Sequence, residues 1–497
     1  MSAVGVAQAA EAVAVEPAPP AAQAARRRRA RRGRARRRHG RRRAHARRRA
    51  QRPPAGSASW TEAHVRRLFW RAGFGATPAE ARRWAKRGKA ATLDWVVNGP
   101  AGGAQLRGPE PRVEHRALDP LNEWGDDVLW WLDRMIRTTY PLQEKLTLFW
   151  HDHFATSDQE TPLMLAQNRM LRRRALGSFR DLLGEVTRDP AMQLFLSLAD
   201  STKDAPNENY ARELMELFTL GKGYSEQDVR EAARALTGFT ADWHDDGTVT
   251  ISYDPDEHDD GVKTLLGRRG RLGVDDVLDV VCAHPRHAPF LVDKLWSFFV
   301  ATPPTRATVR ALVATYRASG LRVKPLVRAI LEHPQLYRNL DAPDLVKCPV
   351  VYVAGALRTT GSHIVEGYPT WLLSTMGQYP FHPPSVAGWD WGPAWMSSNS
   401  MRQRFTLGNY IVNYARPRVR RGGAPATLTP QEAYELAWRA VGEPHVSAAT
   451  RRTLTHLAAR FFDDLDPAWR DKADWRGEAL QATLRHLLIT CPDSQLH

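Results

Sequence analysis

From about residue 60 onward, apolar side chains return every three or four positions, and the stretches they fill open on helix-start signals. Thr77-Pro78-Ala79-Glu80 supplies an N-cap oxygen, a proline at the first helical position and an acid three residues after the cap. It predicts a helix running to about Val97, with Gly73 and Gly75 in the turn before it. Thr429-Pro430-Gln431-Glu432 repeats the signal, Ser225 to Asp228 is a similar start, and Gly238 after EAARALT is the expected stop. Alternation of period two is scarce. Val249, Ile251 and Tyr253 alternate with polar residues, so 248–253 reads as a strand, and 262–266 is its expected partner across the loop DPDEHDDG. The fold class is therefore mostly α: a large multi-helical domain with a small β-hairpin insertion. The expectation for 60–490 is at least about 45% helix and under about 10% strand.

The chain divides into three by composition. Residues 1–55 form an Ala/Pro-rich then Arg-rich arm, expected to be disordered. Residues 56–425 form the main helical domain, and 426–497 a C-terminal helical segment packed on it. The net charge of +17 belongs to the arm, because residues 26–52 hold seventeen arginines and residues 1–25 two glutamates. The remainder carries +17 − 17 + 2 = +2, so its near-neutral charge does not mark it as nucleic-acid binding. Contact of the arm with polyanions would be non-specific. Cys282, Cys348 and Cys491 form neither a C-x-x-C pair nor an even disulfide set. No apolar run approaches the length of a membrane span. No complete signal peptide is present, although AVGVAQAA resembles the small-residue end of one, so export would require an earlier start.

The stretch FWHDHFATS at 149–157 poses the functional question. Leu142, Leu146, Phe149, Trp150 and His153 fall on one helix face, whereas His151, two residues earlier, diverges from His153 by about 200° on a regular helix. The two rings can share a site only if the helix stops near His151, which is the expectation. Both would then face the helix that begins near Asn207 in PNENYARELMELFTLG. Here Asn209, Glu213 and Glu216 share a face, and Glu208 and Arg212 pair at i, i+4. One reading is a solvated, salt-bridged helix. The other is a pocket in which His151, His153, Glu208 and Glu213 hold a divalent metal (zinc, iron or manganese), with Glu216 or His258 as acid/base or outer partner. No H-E-x-x-H signature supports the second. His258-Asp259-Asp260-Gly261 could bind a cation or build an Asx-type turn. Trp389, Trp391 and Trp395, in a Pro/Gly/Trp-rich loop at 377–398, could stack on a sugar or pack against Pro383 and Pro384.

Seven segments in order carry a resemblance: RLFWRAGFGATPAE (67–80), KLTLFWHDHFATS (145–157), APNENYARELMELFTLG (205–221), YSEQDVREAARALTGF (224–239), HDDGVKTLLG (258–267), KLWSFF (294–299) and PPSVAGWDWGPAW (383–395). Together they resemble the bacterial family known as domain of unknown function 1800. CPDSQ stands in the place of that family's closing Ser-Pro-Glu-Phe-Gln, and Asp152 where it usually has Asn. The resemblance implies a large helical protein, often exported, often encoded beside a partner of a sulfatase-like family. It implies no activity. Two function classes follow: a metal-dependent hydrolase or oxidase using the His/Glu pocket, or a non-catalytic accessory protein acting with a partner protein or glycan.

Overall fold

A computed structural model describes residues 60–157, 159–245, 248–415, 428–461, 463 and 473–497. The expected disordered arm lies outside them, and Trp60–His497 forms one compact unit. The chain is 59% helical, and its only sheets among the described residues are two-stranded.

The helices are α1 (Glu62–Arg71), α2 (Pro78–Asn98), α3 (Asp126–Arg137), α4 (Pro141–His153), α5 (Thr161–Arg174), α6 (Phe179–Thr187), α7 (Pro190–Phe195), α8 (Asn209–Glu213) and α9 (Glu226–Ala235). After them come α10 (Val274–Ala283), α11 (His287–Phe299), α12 (Arg306–Ala318), α13 (Val323–Glu332), α14 (Pro349–Thr360) and α15 (Tyr368–Met376). The last four are α16 (Ser398–Asn413), α17 (Pro430–Ala440), α18 (Ala448–Arg460) and α19 (Ala473–Thr490). The capping signals act as physics requires. Thr77 Oγ1 accepts from Glu80 N while Thr77 N donates to the Glu80 carboxylate at 3.0 Å, and Ser225 with Asp228 and Thr429 with Glu432 repeat the exchange. The stop after α9 comes earlier than expected: the cap is Leu236, and Gly238 adopts φ +106° beyond it.

The expected hairpin is corrected. Val249–Tyr253 pairs with Phe239–Trp243, and Lys263–Leu265 pairs instead with Arg268–Gly270. The strand upstream, FTADW, has one buried end and an exposed one, so no clean alternation announced it. A further pair joins Arg112–Val113 to Arg116–Ala117.

Two hydrophobic clusters fill the interior. One is built around α1, α2, α6 and α9 to α13, the other around α3 and α14 to α19. Leu407, Tyr410, Tyr434, Leu484 and Leu488 belong to the second cluster together with Val128 and Leu132, so the C-terminal helices share that core with α3. Helix α4 lies between the clusters. Leu146, Phe149 and Trp150 enter the first and Leu148 the second. Eleven of its thirteen residues are buried, which explains its weak amphipathicity: a helix walled on both sides has no solvent face to mark with charge.

Candidate acid–base pocket

Helix α4 does not stop at His151. It continues to His153 and is capped at Phe154, whose N–H donates to Trp150 O at 2.8 Å. The two histidines therefore diverge. His151, buried, turns to the second cluster, where Nε2 accepts from Phe381 N at 3.0 Å and Trp131 meets the ring edge-on at 5.2 Å. Its proton is then on Nδ1 in the neutral ring. His153 turns to the first cluster, stacked on Phe149, and its Nε2–H donates to Phe218 O at 3.1 Å. That leaves Nδ1 to accept from Lys294 Nζ at 3.3 Å. Burial holds His151 down to about 3 and His153 well below the ordinary imidazole range, the latter pushed further by Lys294.

The partner of His153 is a helix end. Helix α8 runs into a π-helical turn, Leu214–Thr219, a form that recurs at functional sites. Its terminal carbonyls have no partner within the helix. Leu217 O accepts from Lys294 Nζ at 3.1 Å, Phe218 O from His153, and Thr219 O from His287 Nδ1 at 3.4 Å. Three basic side chains from two other helices thus complete the negative end of this one.

Asp152, at the edge of α4, faces the Trp-rich loop. Oδ1 accepts from Trp389 N and Oδ2 from Trp391 Nε1, each at 2.8 Å. Both partners are N–H donors, so a carboxylate gives each its own oxygen, where an amide would present an NH₂ donor to one of them. Trp389 is buried, and Trp391 packs edge-on against Phe298 at 5.3 Å with part of its ring exposed. The chain passes Asp152 closely at Gly388, φ +82°, where an added Cβ would lie 2.5 Å from Asp152 Oδ1 and 2.6 Å from its main-chain oxygen. Gly388→Ala is expected to break the Trp389 and Trp391 bonds and to cost about 1–3 kcal/mol. Unchanged tryptophan fluorescence and an unchanged unfolding midpoint would show that the loop does not depend on this approach.

These groups enclose a cavity of about 320 Å³ walled by Phe149, Phe298, Trp389 and Trp391, with Asp152, His153 and Lys294 as buried or half-buried polar groups. Exposed Asp293 and Ser297 stand at its margin. Burial pushes the Asp152 carboxyl up to about 6, although the two N–H donors and Lys294 oppose it. Burial also lowers the Lys294 ammonium, and Asp152 opposes that shift.

The other residues marked from the sequence lie elsewhere. Glu208 pairs with Arg212 at 3.0 Å, and Arg212 also grips Glu226. Glu213 is half-buried and raised by burial and then by Glu216, which is itself exposed and accepts from Tyr224 Oη at 3.0 Å. His258 donates from Nδ1 to Thr237 O at 3.0 Å, Asp259 pairs with Arg234, and Gly261 N donates to Asp259 Oδ1 at 2.7 Å, an Asx turn. The structure does not bring His151, His153, Glu208 and Glu213 together. Among the described residues, no group of three or more His, Cys, Asp or Glu side chains could hold a metal ion. The donor chemistry agrees: the free nitrogen of His151 is taken by a backbone N–H, and His153 faces an ammonium. The proposed four-ligand metal set therefore does not fit this geometry. Asn207 accepts from Asn209 N just before α8, and Glu208 holds the cap position.

Lys294 was missed as a site residue. Its signal is an ammonium, next to Asp293, in the largely apolar run FLVDKLWSFF, since such a residue must find acceptors or shift its charge.

A family described as a protein of unknown function, DUF1800, matches residues 67–496. The chain belongs to this family. The match spans every segment that frames the pocket, from α4 through α11 to the Trp-rich loop. Neither a curated protein nor a solved structure matches the chain. Among the described residues, no helix is long and apolar enough to cross a membrane.

Proposed function

We propose that this family member is an enzyme whose pocket binds a small hydroxyl-bearing ligand, with Asp152 as general acid or base and Lys294 as the cation that steadies developing negative charge. One observation carries the reading: a carboxyl raised and an ammonium lowered, both toward neutrality, share the wall of one aromatic-lined cavity. Groups so displaced suit proton transfer near neutral pH. The reaction class is hydrolysis, with Trp391 and Phe298 holding the apolar face of the ligand, and it uses no metal cage of the four residues discussed above.

The accessory reading keeps one favourable observation. Both Asp152 oxygens tie down the loop that carries half-exposed Trp391, as a device presenting that ring to a glycan or a partner would require. A sulfatase-like partner belongs to this reading.

Chromogenic nitrophenyl esters, glycosides, phosphates and sulfates separate the two. Under the enzyme reading, at least one is turned over, with a rate that changes through about pH 6, and Asp152→Asn lowers the rate about 100-fold or more. Turnover unaffected by Asp152→Asn, or none with any of the four classes, sinks the enzyme reading in favour of the accessory one.

A further inference from the structure

A second cavity, also of about 320 Å³, lies beyond the first and shares Asp293, Ser297, Phe298 and Trp391 with it. At its inner wall is Lys145, one turn and a half before His151 on α4 and only 2% exposed. Its ammonium lies 5.5 Å from the ring centres of both Phe74 and Phe298. Among the described residues it has no hydrogen-bond acceptor and no carboxylate within ion-pair distance. A buried ammonium faced by two rings and the Cys348 thiol, with no hydrogen-bond acceptor, is incompletely compensated.

The surroundings sharpen this. Arg71 and Lys347 are buried close enough to act on Lys145 or be acted on by it, both with the same sign of charge. Arg71 is answered by Asp344 at 2.5 Å and by the main-chain oxygens of His497 and Phe299. Lys347 is answered by Ser494 O at 2.7 Å and by the face of Trp70. Of the three, Lys145 alone has no hydrogen-bond acceptor among the described residues. Phe298, Val300, Ala301, Val346 and Val351 form the cavity's apolar wall. Asp293 and Ser297, both exposed, stand at the margin shared with the first cavity, and Thr302, Cys348 and His497 also line it.

We propose that this chamber binds small molecules carrying one carboxylate on an apolar body, the carboxylate on Lys145 and the body among Val300, Ala301 and Val351. A metal cation is repelled by three like charges. A dianion such as phosphate would find a single unanswered ammonium, the Asp293 carboxylate at the margin and a largely apolar wall for its other oxygens. A monocarboxylate satisfies the ammonium with a charge-assisted bond and fills the chamber with matching surface. The inference is independent of the Asp152 reading, because Lys145 does not line that cavity.

The test uses benzoate as the probe on the full chain, by titration calorimetry, with benzyl alcohol as its uncharged match in shape. Benzoate is expected to bind at least about tenfold more tightly than benzyl alcohol, and Lys145→Met to abolish that preference, since a charge-assisted bond is worth about 1.5–3 kcal/mol. Lys145→Met removes a buried charge for an apolar chain of similar length, so folding is retained. Ala301→Trp, which keeps the lysine and fills the chamber from its half-buried edge, is expected to block benzoate as well. Equal binding of benzoate and benzyl alcohol overturns the proposal. So does benzoate binding that survives both substitutions, or no binding by the unaltered chain at about 10 mM benzoate.

Discussion

Acidification from about pH 7 to about pH 5 is expected to lower folding stability by a few kcal/mol, a sizeable share of the 5–15 kcal/mol typical of a folded domain. Four buried histidines drive it. His151 is held down to about 3 and His287 to about 4, while His153 and His497 are held well below the usual range, burial being the first cause in each. In the unfolded chain these rings titrate near 6.5, so below that pH the unfolded state binds protons that the folded state refuses. Stability conferred by a depressed histidine is present above the unfolded value and lost as the pH falls toward the folded one. At about 1.36 kcal/mol per pH unit, His151 and His287 each cost about 2 kcal/mol by pH 5, and His153 and His497 act in the same direction. Asp152 and Asp189 act oppositely. Burial raises both to about 6, so they favour the folded state at low pH, and between pH 7 and pH 5 they return about 1 kcal/mol each. Urea unfolding at a series of pH values checks the net slope. Stability that is flat or rising between pH 7 and pH 5 would mean these rings are already protonated in the fold.

Arg172→Met is expected to cost about 3–5 kcal/mol, because it strands a buried carboxylate. Glu144, 0% exposed, receives Arg172 Nε at 2.6 Å and Nη2 at 2.9 Å, while Trp131 Nε1 donates to it at 3.1 Å. Arg134 stands further off, at 3.5 Å. The bidentate fork is what compensates the desolvation of Glu144, and Arg134 from its distance cannot replace it. The same tryptophan abuts His151, so the loss should also disturb the packing that leads to the pocket. The double variant Glu144→Leu with Arg172→Met should recover most of the loss, since it leaves neither charge behind. Chemical denaturation of the three variants decides it; a loss below about 1 kcal/mol for Arg172→Met would mean that Arg134 or water takes over.

The helices were legible in the sequence because their causes are local. Thr77 with Glu80 and Thr429 with Glu432 sit three residues apart, and each pair exchanges bonds across that distance. The site was less so, because its partners are remote. His153 meets Lys294 across 141 residues, and Asp152 meets Trp389 across 237. The periodicity of α4 placed His153 on the apolar stripe and His151 opposite, which is what the fold uses. The inference that the helix must break to reunite them assumed one interior, whereas two clusters receive one ring each. Glu208 and Glu213 drew attention as carboxylates, but their helix offers the site its main chain: the acceptors for Lys294 and His153 are carbonyls of Leu217 and Phe218, to which any sequence at those positions would be blind.

That last point bears on how the family can vary. A carbonyl acceptor is not encoded by a side chain, so substitutions within 214–219 that keep the turn leave the electrostatic seat of Lys294 intact. An insertion or deletion of one residue there is different in kind. It would rotate the helix terminus by about 100° and carry the three carbonyls away from their donors at once. The pocket is therefore intolerant of length here, and members of the family that keep a working site should agree in the number of residues this turn contains. Along it, Leu214, Met215 and Phe218 are held apolar by the core, and exposed Glu216 is the freer position.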